Sequence, residues 1–247
     1  MTKQSGLGDR LWVAGYDFSG DIGSLAGIHG GPAALDVTGI DKSAFERIGG
    51  LRDGELSFTA FFNDAANQEH ARLKPLSTSD QIVTYGRGTS IGSPAACCVA
   101  KQINYDQTRG GDGALTSTVQ VQTNGYGLEW GQQLTAGQRT DTTATSPATG
   151  LDTTVSASFG MQAYLHLFAF TGTSVTVTLQ DSADNASFAA IGSGVSFAAA
   201  NAVGAQRIAT ANTQTVRRYV RAVTTGTFSS AVFAVQLVKN ESAGVSF

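Results

Sequence analysis

Disulfide chemistry is the first thing this sequence excludes. Its two cysteines, Cys97 and Cys98, are neighbours. On an extended strand adjacent side chains point to opposite faces, so a bridge between them would distort the backbone severely. They read instead as small apolar side chains in a reducing compartment. Charge is scarce too: 14% of residues are Asp, Glu, Lys or Arg, against about 25% in an average domain. At a formal net charge of −3 the chain lacks the basic excess that neutralises phosphates, which argues against nucleic-acid binding. No apolar run comes after Met1–Arg10, and no stretch approaches the length of a membrane span. A protein that folds and acts in the cytoplasm, without secretion or membrane insertion, is expected. The three histidines, His29, His70 and His166, lie in separate segments without metal-ligand spacing. Phosphate loops, zinc patterns and dinucleotide fingerprints are missing, so neither a metal nor a cofactor is expected.

What is present is glycine, 30 residues of it, with abundant Thr, Ser and Ala and 41% hydrophobic residues. That composition points to a turn-rich, all-β protein with enough apolar material for a core. The stretch from Gln81 to Trp130 shows it best. Gln81–Tyr85 is apolar and β-branched, Cys97–Tyr105 alternates, and Leu115–Thr123 alternates again, with Val119 and Val121 on one side and Thr116, Thr118, Gln120 and Gln122 on the other. A period of two is the strand signature. The second and third of these strands carry a wet face of Thr, Gln and Asn with almost no charge, which suits either solvent or a copy of itself.

Elsewhere, Leu11–Phe18 and Glu55–Asn63 read as strands, and the glycine-rich Ser19–Gly31 as a long loop. Leu35–Val37 reads as a short strand. Capping-box spacing of Ser43 and Glu46 suggests a short helix over Asp41–Ile48. Asp64 offers an N-cap for a helix through Leu73, ended by Pro75 and flanking the sheet. Gly131–Ser158 has few apolar residues and no period, the mark of a long loop or linker. Beyond it Met161–Phe170, Ser174–Gln180, Gln206–Ala211, Val216–Thr224 and Ala231–Lys239 read as strands of a second β-sandwich. The expected domains are therefore 1–135, a linker at 136–158, and 159–247. Charge divides with them. Residues 1–150 hold 11 Lys and Arg against 15 Asp and Glu, a net of −4, and residues 151–247 hold 5 against 4, a net of +1.

Candidate chemistries are few. Gly88-Thr89-Ser90-Ile91-Gly92 matches the nucleophile-elbow pattern, which would make Ser90 the nucleophile of a serine hydrolase with His166 as base. Ser93-Pro94 and an alternating strand come directly after Gly92, and no βαβ rhythm supports the motif, so a Gly/Ser turn is the expectation. Asp181-Ser182-Ala183-Asp184-Asn185 starts like a calcium loop, but Ala186 and Gly192 stand where glycine and glutamate are required. Trp12 and Trp130 are candidates for a sugar-stacking platform, or for core packing. Arg217, Arg218 and Arg221 form a basic cluster that is either a solvated face or a contact for an acidic neighbour. No catalytic residue is assigned.

Three blocks, LDVTGIDKSAFERIGGLRDGELSFTAFFND, VTYGRGTSIGSPAACCVAKQINYDQTRG and GYGLEWG, resemble the tail tube (major tail) proteins of long-tailed phages that infect actinobacteria. DSADNASF, RRYVRAVTTGTF and FAVQLVKN are similar to the extra C-terminal β domain of some of them. The resemblance implies a structural virion protein and not an enzyme. It implies an N-terminal β-sandwich with one flanking helix that contributes strands to an oligomeric β-barrel, and a second, outward-facing C-terminal β-sandwich. Copies would form homohexameric rings that stack into a siphophage tail tube, assembled in the host cytoplasm and carried on the virion tail. Implied partners are further copies of itself, the tape measure protein and the tail terminator and tip proteins. DNA would pass through the lumen transiently during ejection, without specific binding. An acidic N-terminal half suits such a lumen, since a basic lining would retard phosphates. Ser19–Ala33 and the linker would supply ring-to-ring contacts.

Overall fold

The computed structural model describes residues 5–242, so residues 1–4 and 243–247 of the expected domains lie outside the described residues. The chain is all-β: strand accounts for 56% of it and helix for 2%. The strands run β1 (Arg10–Val13), β2 (Tyr16–Asp17), β3 (Ile22–Asp36) and β4 (Arg47–Phe61), followed by the helix α1 (Glu69–Leu73). Next come β5 (Gln81–Gly86), β6 (Pro94–Gln102), β7 (Asp106–Arg109), β8 (Leu115–Thr123) and β9 (Glu129–Gln133). The last six are β10 (Arg139–Asp141), β11 (Leu151–Asp152), β12 (Met161–Ser182), β13 (Ala189–Ser196), β14 (Gly204–Ala209) and β15 (Tyr219–Lys239).

Two compact units result. The first comprises Met1–Gly20, Ile82–Cys97 and Glu129–Phe247, and the second Asp21–Gln81 and Cys98–Leu128. The first is organised on β12 and β15, which pair antiparallel along nearly their whole lengths. Alternate residues of both point to one side, so Ala163, Leu165 and Leu167 meet Leu237, Val235 and Phe233, and farther along Leu179 meets Ala222. All are buried in one apolar cluster with Leu134, Leu151 and Phe197. The ribbon is broken by bulges between Leu167 and Ala169 and around Gly172, and a bulge bends a strand. Gly172 and Gly226 make the bend possible: their φ values are +152° and +121°, and a Cβ would lie 2.4 Å from Phe228 Cα and 2.3 Å from Ser174 O respectively. Both halves of the ribbon thereby serve the same core.

The opposite side of β12 is buried as well, although it carries Gln162, Tyr164 and His166. Buried polar groups need partners; among the described residues Gln162 Oε1 has none, whereas Tyr164 and His166 find theirs far along the chain. Tyr164 Oη donates to Glu129 Oε2 at 2.6 Å, while Arg207 donates through Nη2 to Glu129 Oε1 at 2.7 Å and through Nε to Tyr164 Oη at 3.0 Å. Trp12 of β1, fully buried, packs edge-on to Phe168 at 5.3 Å between ring centroids.

This is why the expected domain boundaries differ from the compact units. Residues 1–135 are split between the units, and 159–247 belong to one compact unit with β1, β9 and Ile82–Gly86 of β5. The expected linker is part of the first unit. It is poor in apolar residues, yet its Leu151 is buried in the core, β10 pairs with Phe233–Ala231 and β11 with Val220–Tyr219. The expected pairs of strands in the C-terminal part, 161–170 with 174–180 and 216–224 with 231–239, are each one continuous strand.

The second unit is a sheet in the order β3, β4, β8, with β6 and β7 both on the far side of β8. Its register makes rungs across three strands. Leu25, Phe58 and Val119 form one, and Ile28, Leu56 and Val121 another. Directly opposed residues share a face, and burying one such side chain contributes about 1.5–3 kcal/mol, which fixes the register against a one-residue slip. Leu73 of α1 is buried in this unit, and the Leu73 carbonyl accepts from the Gln102 amide at 2.9 Å.

Three local expectations are corrected here. Ser19–Gly31 is not a loop: most of it is β3, whose glycines and bulges weaken its sequence pattern without preventing pairing to β4. Asp41–Ile48 is not helical. Residues 37–46 form the tip joining β3 to β4, closed by Val37 N–H donating to Glu46 O at 3.0 Å and Glu46 N–H donating to Thr38 Oγ1 at 2.8 Å. The helix after Asp64 spans only five residues, Glu69–Leu73, because Asn67 adopts φ +68°, a left-handed conformation that a helix cannot propagate through.

Candidate assembly surface

In the second unit, the face of the sheet opposite the apolar rungs is polar and nearly free of charge. Ser24, Thr59 and Thr118 form one rung, Gly27, Ser57 and Gln120 the next, and His29, Glu55 and Gln122 the last. The wet face expected on Leu115–Thr123 is therefore present. On Cys97–Tyr105 it is not, since Cys97, Cys98 and Ala100 are all buried. Asp53 closes the row. Its carboxyl is held below the ordinary carboxylate range by the Gly54 N–H, then by the Gln122 amide, with a smaller contribution from the Thr123 hydroxyl.

The sheet ends in two different open edges. Among the described residues β3 pairs only with β4, leaving fifteen residues of main chain unpaired on its other side, and β7 pairs only with β8. A row of unsatisfied N–H and C=O groups is a template for another strand. Because the edges belong to different strands, the addition of one copy's β3 to the next copy's β7 would be head-to-tail, the geometry that closes into rings or continues as a helical array.

Beyond Glu55, where β8 stops pairing with β4, β3 and β4 continue alone. Pro32 faces Arg52, Ala34 faces Gly49, Leu35 faces Ile48 and Asp36 faces Arg47. Nearly every residue of this overhang and its tip is exposed, on both faces. The exposed set includes large apolar side chains: Leu35, Val37, Phe45 and Ile48, with Leu51 at 89% and Ile40 at 109% relative exposure. A two-stranded ribbon alone is marginal in water, and so many exposed large apolar side chains in one short segment make it a candidate interaction surface. Sequence reasoning missed it. The signal available was the alternation of Leu35 and Val37, set against Ile48 and Leu51 across a turn.

The residues singled out for chemistry are dispersed. Ser90 is exposed on a turn, whereas His166 is fully buried with both ring nitrogens engaged. Gly15 N–H donates to Nδ1 at 3.2 Å, and Nε2 meets Thr84 Oγ1 at 2.9 Å. Since Nδ1 accepts, the neutral ring carries its proton on Nε2 and donates it to Thr84, so no nitrogen remains to activate Ser90. Trp12 is buried and Trp130 is 53% exposed, which leaves no paired platform for a sugar. Arg217 is bound to Asp181 and Arg218 to Asp152, through N–O contacts of 2.6 and 2.7 Å. Asp184 is a turn residue, accepting from Ser182 Oγ and from the N–H groups of Ala186 and Ser187. His70 Nδ1 lies 2.8 Å from Tyr105 Oη, beside the buried Glu69, whose carboxyl burial pushes up. Cys97 and Cys98 form no disulfide. Among the described residues no three His, Cys, Asp or Glu side chains gather where they could hold a metal ion, and no helix is long and apolar enough to cross a membrane.

The burial of His166 has a measurable consequence. Its pKa is lowered to about 3 by desolvation, from an ordinary value near 6.5. The unfolded chain therefore binds this proton first, and the contribution of neutral His166 is complete above about pH 6.5 and is lost as pH falls toward 3, by up to about 1.4 kcal/mol per pH unit. In His166→Gln, whose amide keeps one donor and one acceptor, denaturation midpoints should fall less steeply between those limits than in the parent. Parallel pH profiles would show that the ring does not titrate on unfolding.

No protein-family model matches the chain, and no curated protein matches it. Thirteen solved chains do. One is from the virion of a native gene transfer agent particle, 16% identical with a TM-score of 0.41, covering 51% of this chain and 97% of that one. A second is the SPP1 Dit protein, a hub adsorption apparatus in phages infecting Gram-positive hosts, 11% identical with a TM-score of 0.35, covering 94% and 99%. A third, from the phage p2 baseplate in its activated conformation, is 10% identical with a TM-score of 0.34 over the same shares. Likenesses this distant assign neither a family nor a function.

Proposed function

We propose that this chain is a structural subunit of a phage tail whose copies join through the open-edged sheet of the second unit. The observation that carries the reading is that sheet: two dissimilar edges unpaired among the described residues, a polar face nearly free of charge, and an overhanging ribbon that exposes large apolar side chains. A monomer gains nothing from these features, whereas head-to-tail addition pairs both edges and covers the ribbon. The blocks that resemble tail tube proteins support the finer reading, in which the rings are hexameric and stack into a siphophage tail tube. The second of those blocks runs through β5, β6 and β7, and the first through the tip and β4.

In this reading the wall is built by Asp21–Gln81 and Cys98–Leu128, in place of the whole of residues 1–135. The low charge of the Ser, Thr and Gln face suits a conduit through which DNA slides without being held. Arg217 and Arg218, each committed to a carboxylate, stay off that path with the outward-facing C-terminal part. The subunit is not an enzyme. Further copies, the tape measure and the terminator and tip proteins are its partners, met in the host cytoplasm before the tail joins the virion.

Negative-stain imaging of the purified chain at rising concentration tests this. Rings or tubes that appear as concentration increases are expected. Dispersed monomers at every concentration, with a single monomeric species in the ultracentrifuge, would refute it.

A further inference from the structure

The strands of the sheet in the second unit alternate in direction, β3 against β4, β4 against β8 and β8 against β7. A second copy added in the same orientation therefore lays its β3 antiparallel to β7, and the alternation runs on from copy to copy. Sidedness limits how the two strands can be aligned. Asp106 and Thr108 stand opposite Thr118 and Thr116 on the polar face, and Gly27, His29 and Gly31 stand opposite Ser57, Glu55 and Asp53 on that same face. A slip of one residue would turn every side chain to the wrong side, so the permitted alignments differ by two residues.

The edge of β3 narrows the choice. Its register shifts between Ile22 and Ser24, Leu25 and Gly27, and Pro32 and Ala34, so its longest regular stretch is Gly27–Pro32. A bulge disrupts a ladder. Three alignments set at least three of the four β7 residues on the regular stretch, with Thr108 opposite Gly27, His29 or Gly31. Through Thr116, Thr108 is level with Phe61 of β4, whereas Gly27, His29 and Gly31 are level with Ser57, Glu55 and Asp53. Counted along β4, those levels differ by four, six and eight residues, which is the stagger each alignment gives to successive copies. Closing a sheet on itself tilts its strands by about 35–45°. With four strands per copy spaced about 4.8 Å apart and residues about 3.4 Å apart, the three staggers correspond to tilts of about 35°, 47° and 55°. Only the first lies in the closing range, whatever the number of copies.

Charge selects the same alignment. It sets Asp106 opposite His29, both of them exposed, whereas the other two set Thr108 or the turn after β7 there. Asp106 Oδ2 accepts from the Asn104 amide at 2.7 Å, which orients the carboxylate. The His29 ring lies over Gly27, where a Cβ would collide with Nε2, so the glycine leaves the imidazole its place beside the edge.

We propose that each copy's β7 joins the next copy's β3 in this alignment, with Thr108 opposite Gly27, Gln107 opposite Ile28, and the Asp106 carboxylate accepting a hydrogen bond from the next copy's His29 imidazole. The inference rests on the edge-to-edge reading above and adds to it the register and the contact that selects it.

The test is a pair of cysteines in the full chain, His29→Cys with Asp106→Cys, oxidised mildly at concentrations where sedimentation shows assembly. Directly opposed Cα atoms lie about 4.5–5.5 Å apart, within reach of a disulfide, and diagonal ones about 7–8 Å, beyond it. Linked multimers are expected from this double variant, with less than about a tenth as much from His29→Cys with Thr108→Cys or from either single change. Cys97 and Cys98, both buried, do not compete. In a second readout, Asp106→Lys should raise the concentration needed for assembly about fivefold, and adding His29→Asp should return it to within about twofold of the parent. Assembly with links in the Thr108 pair instead, or in neither pair, overturns the register and leaves edge-to-edge joining untouched. Dispersed monomers at every concentration overturn both. If the double cysteine variant fails to fold, the charge exchange decides by itself, and assembly that does not recover overturns the contact.

Discussion

Ile40→Asp combined with Leu51→Asp should leave the chain folded and stop it assembling. Both side chains are almost wholly exposed, so neither substitution removes packing from the subunit, and surface changes of this kind usually move stability by within about 0.5 kcal/mol. In an assembly the same residues are expected to be covered. Each large apolar side chain then contributes about 1.5–3 kcal/mol, and burying a carboxylate in its place adds a penalty of several kcal/mol more. Losing two anchors and desolvating two charges should weaken each subunit contact by more than about a thousandfold, since every 1.4 kcal/mol is a factor of ten. Sedimentation and thermal denaturation measured side by side check both halves. A variant that assembles like the parent would show that the ribbon is not a contact. One that unfolds would show that it is part of the subunit core.

The second large effect lies inside the first unit. Glu129→Ala removes the carboxylate that holds Arg207 and Tyr164 together, and the Glu129 side chain is fully buried with that of Arg207 only 8% exposed. A buried ion pair adds little net stability when intact, but deleting one partner strands the other and costs about 3–5 kcal/mol. The Tm should drop by roughly 2–4 °C for each kcal/mol. Tyr164→Phe, which removes one hydroxyl from the same cluster, should cost about 1–3 kcal/mol. Calorimetry on both variants decides. A loss near 1 kcal/mol or less for Glu129→Ala would mean that Arg207 finds another acceptor at little cost. Because Glu129 is on β9 and Arg207 on β14, the expected effect also reports how firmly β9 is built into the same core as the C-terminal strands.

How much of this was legible in the sequence varied with distance along the chain. The all-β class was readable, because alternation of Leu56, Phe58 and Ala60 or of Val119 and Val121 is a local signal that burial then honours. The unit boundaries were not. They depend on pairings such as Tyr164 with Glu129 and His166 with Thr84, between residues whose own neighbourhoods give no hint of each other. A stretch poor in apolar residues looked like a linker, although Leu134 and Leu151 and the pairing of β10 and β11 with β15 stitch it into the first unit. The candidate surface was half legible. The uncharged Thr and Gln face of β8 could be read, but its continuation through β3 was hidden by glycines that imitate a loop. The overhang has no buried face at all, so periodicity, which reports burial, had nothing to report. Ser90 and His166 show the opposite case, a motif that matches in letters while one ring, buried and doubly hydrogen-bonded, is committed elsewhere.

The most direct test of the central claim is amide hydrogen exchange, compared between dilute subunits and the assembled form. If copies add edge to edge, amides along Ile22–Asp36 and Asp106–Arg109 should gain protection together on assembly, while Gln162–Leu167 of β12 and Ala231–Phe233 of β15, already paired on both sides, change little. Assembly in which both edges exchange as fast as in the free subunit, with protection arising elsewhere, would contradict it.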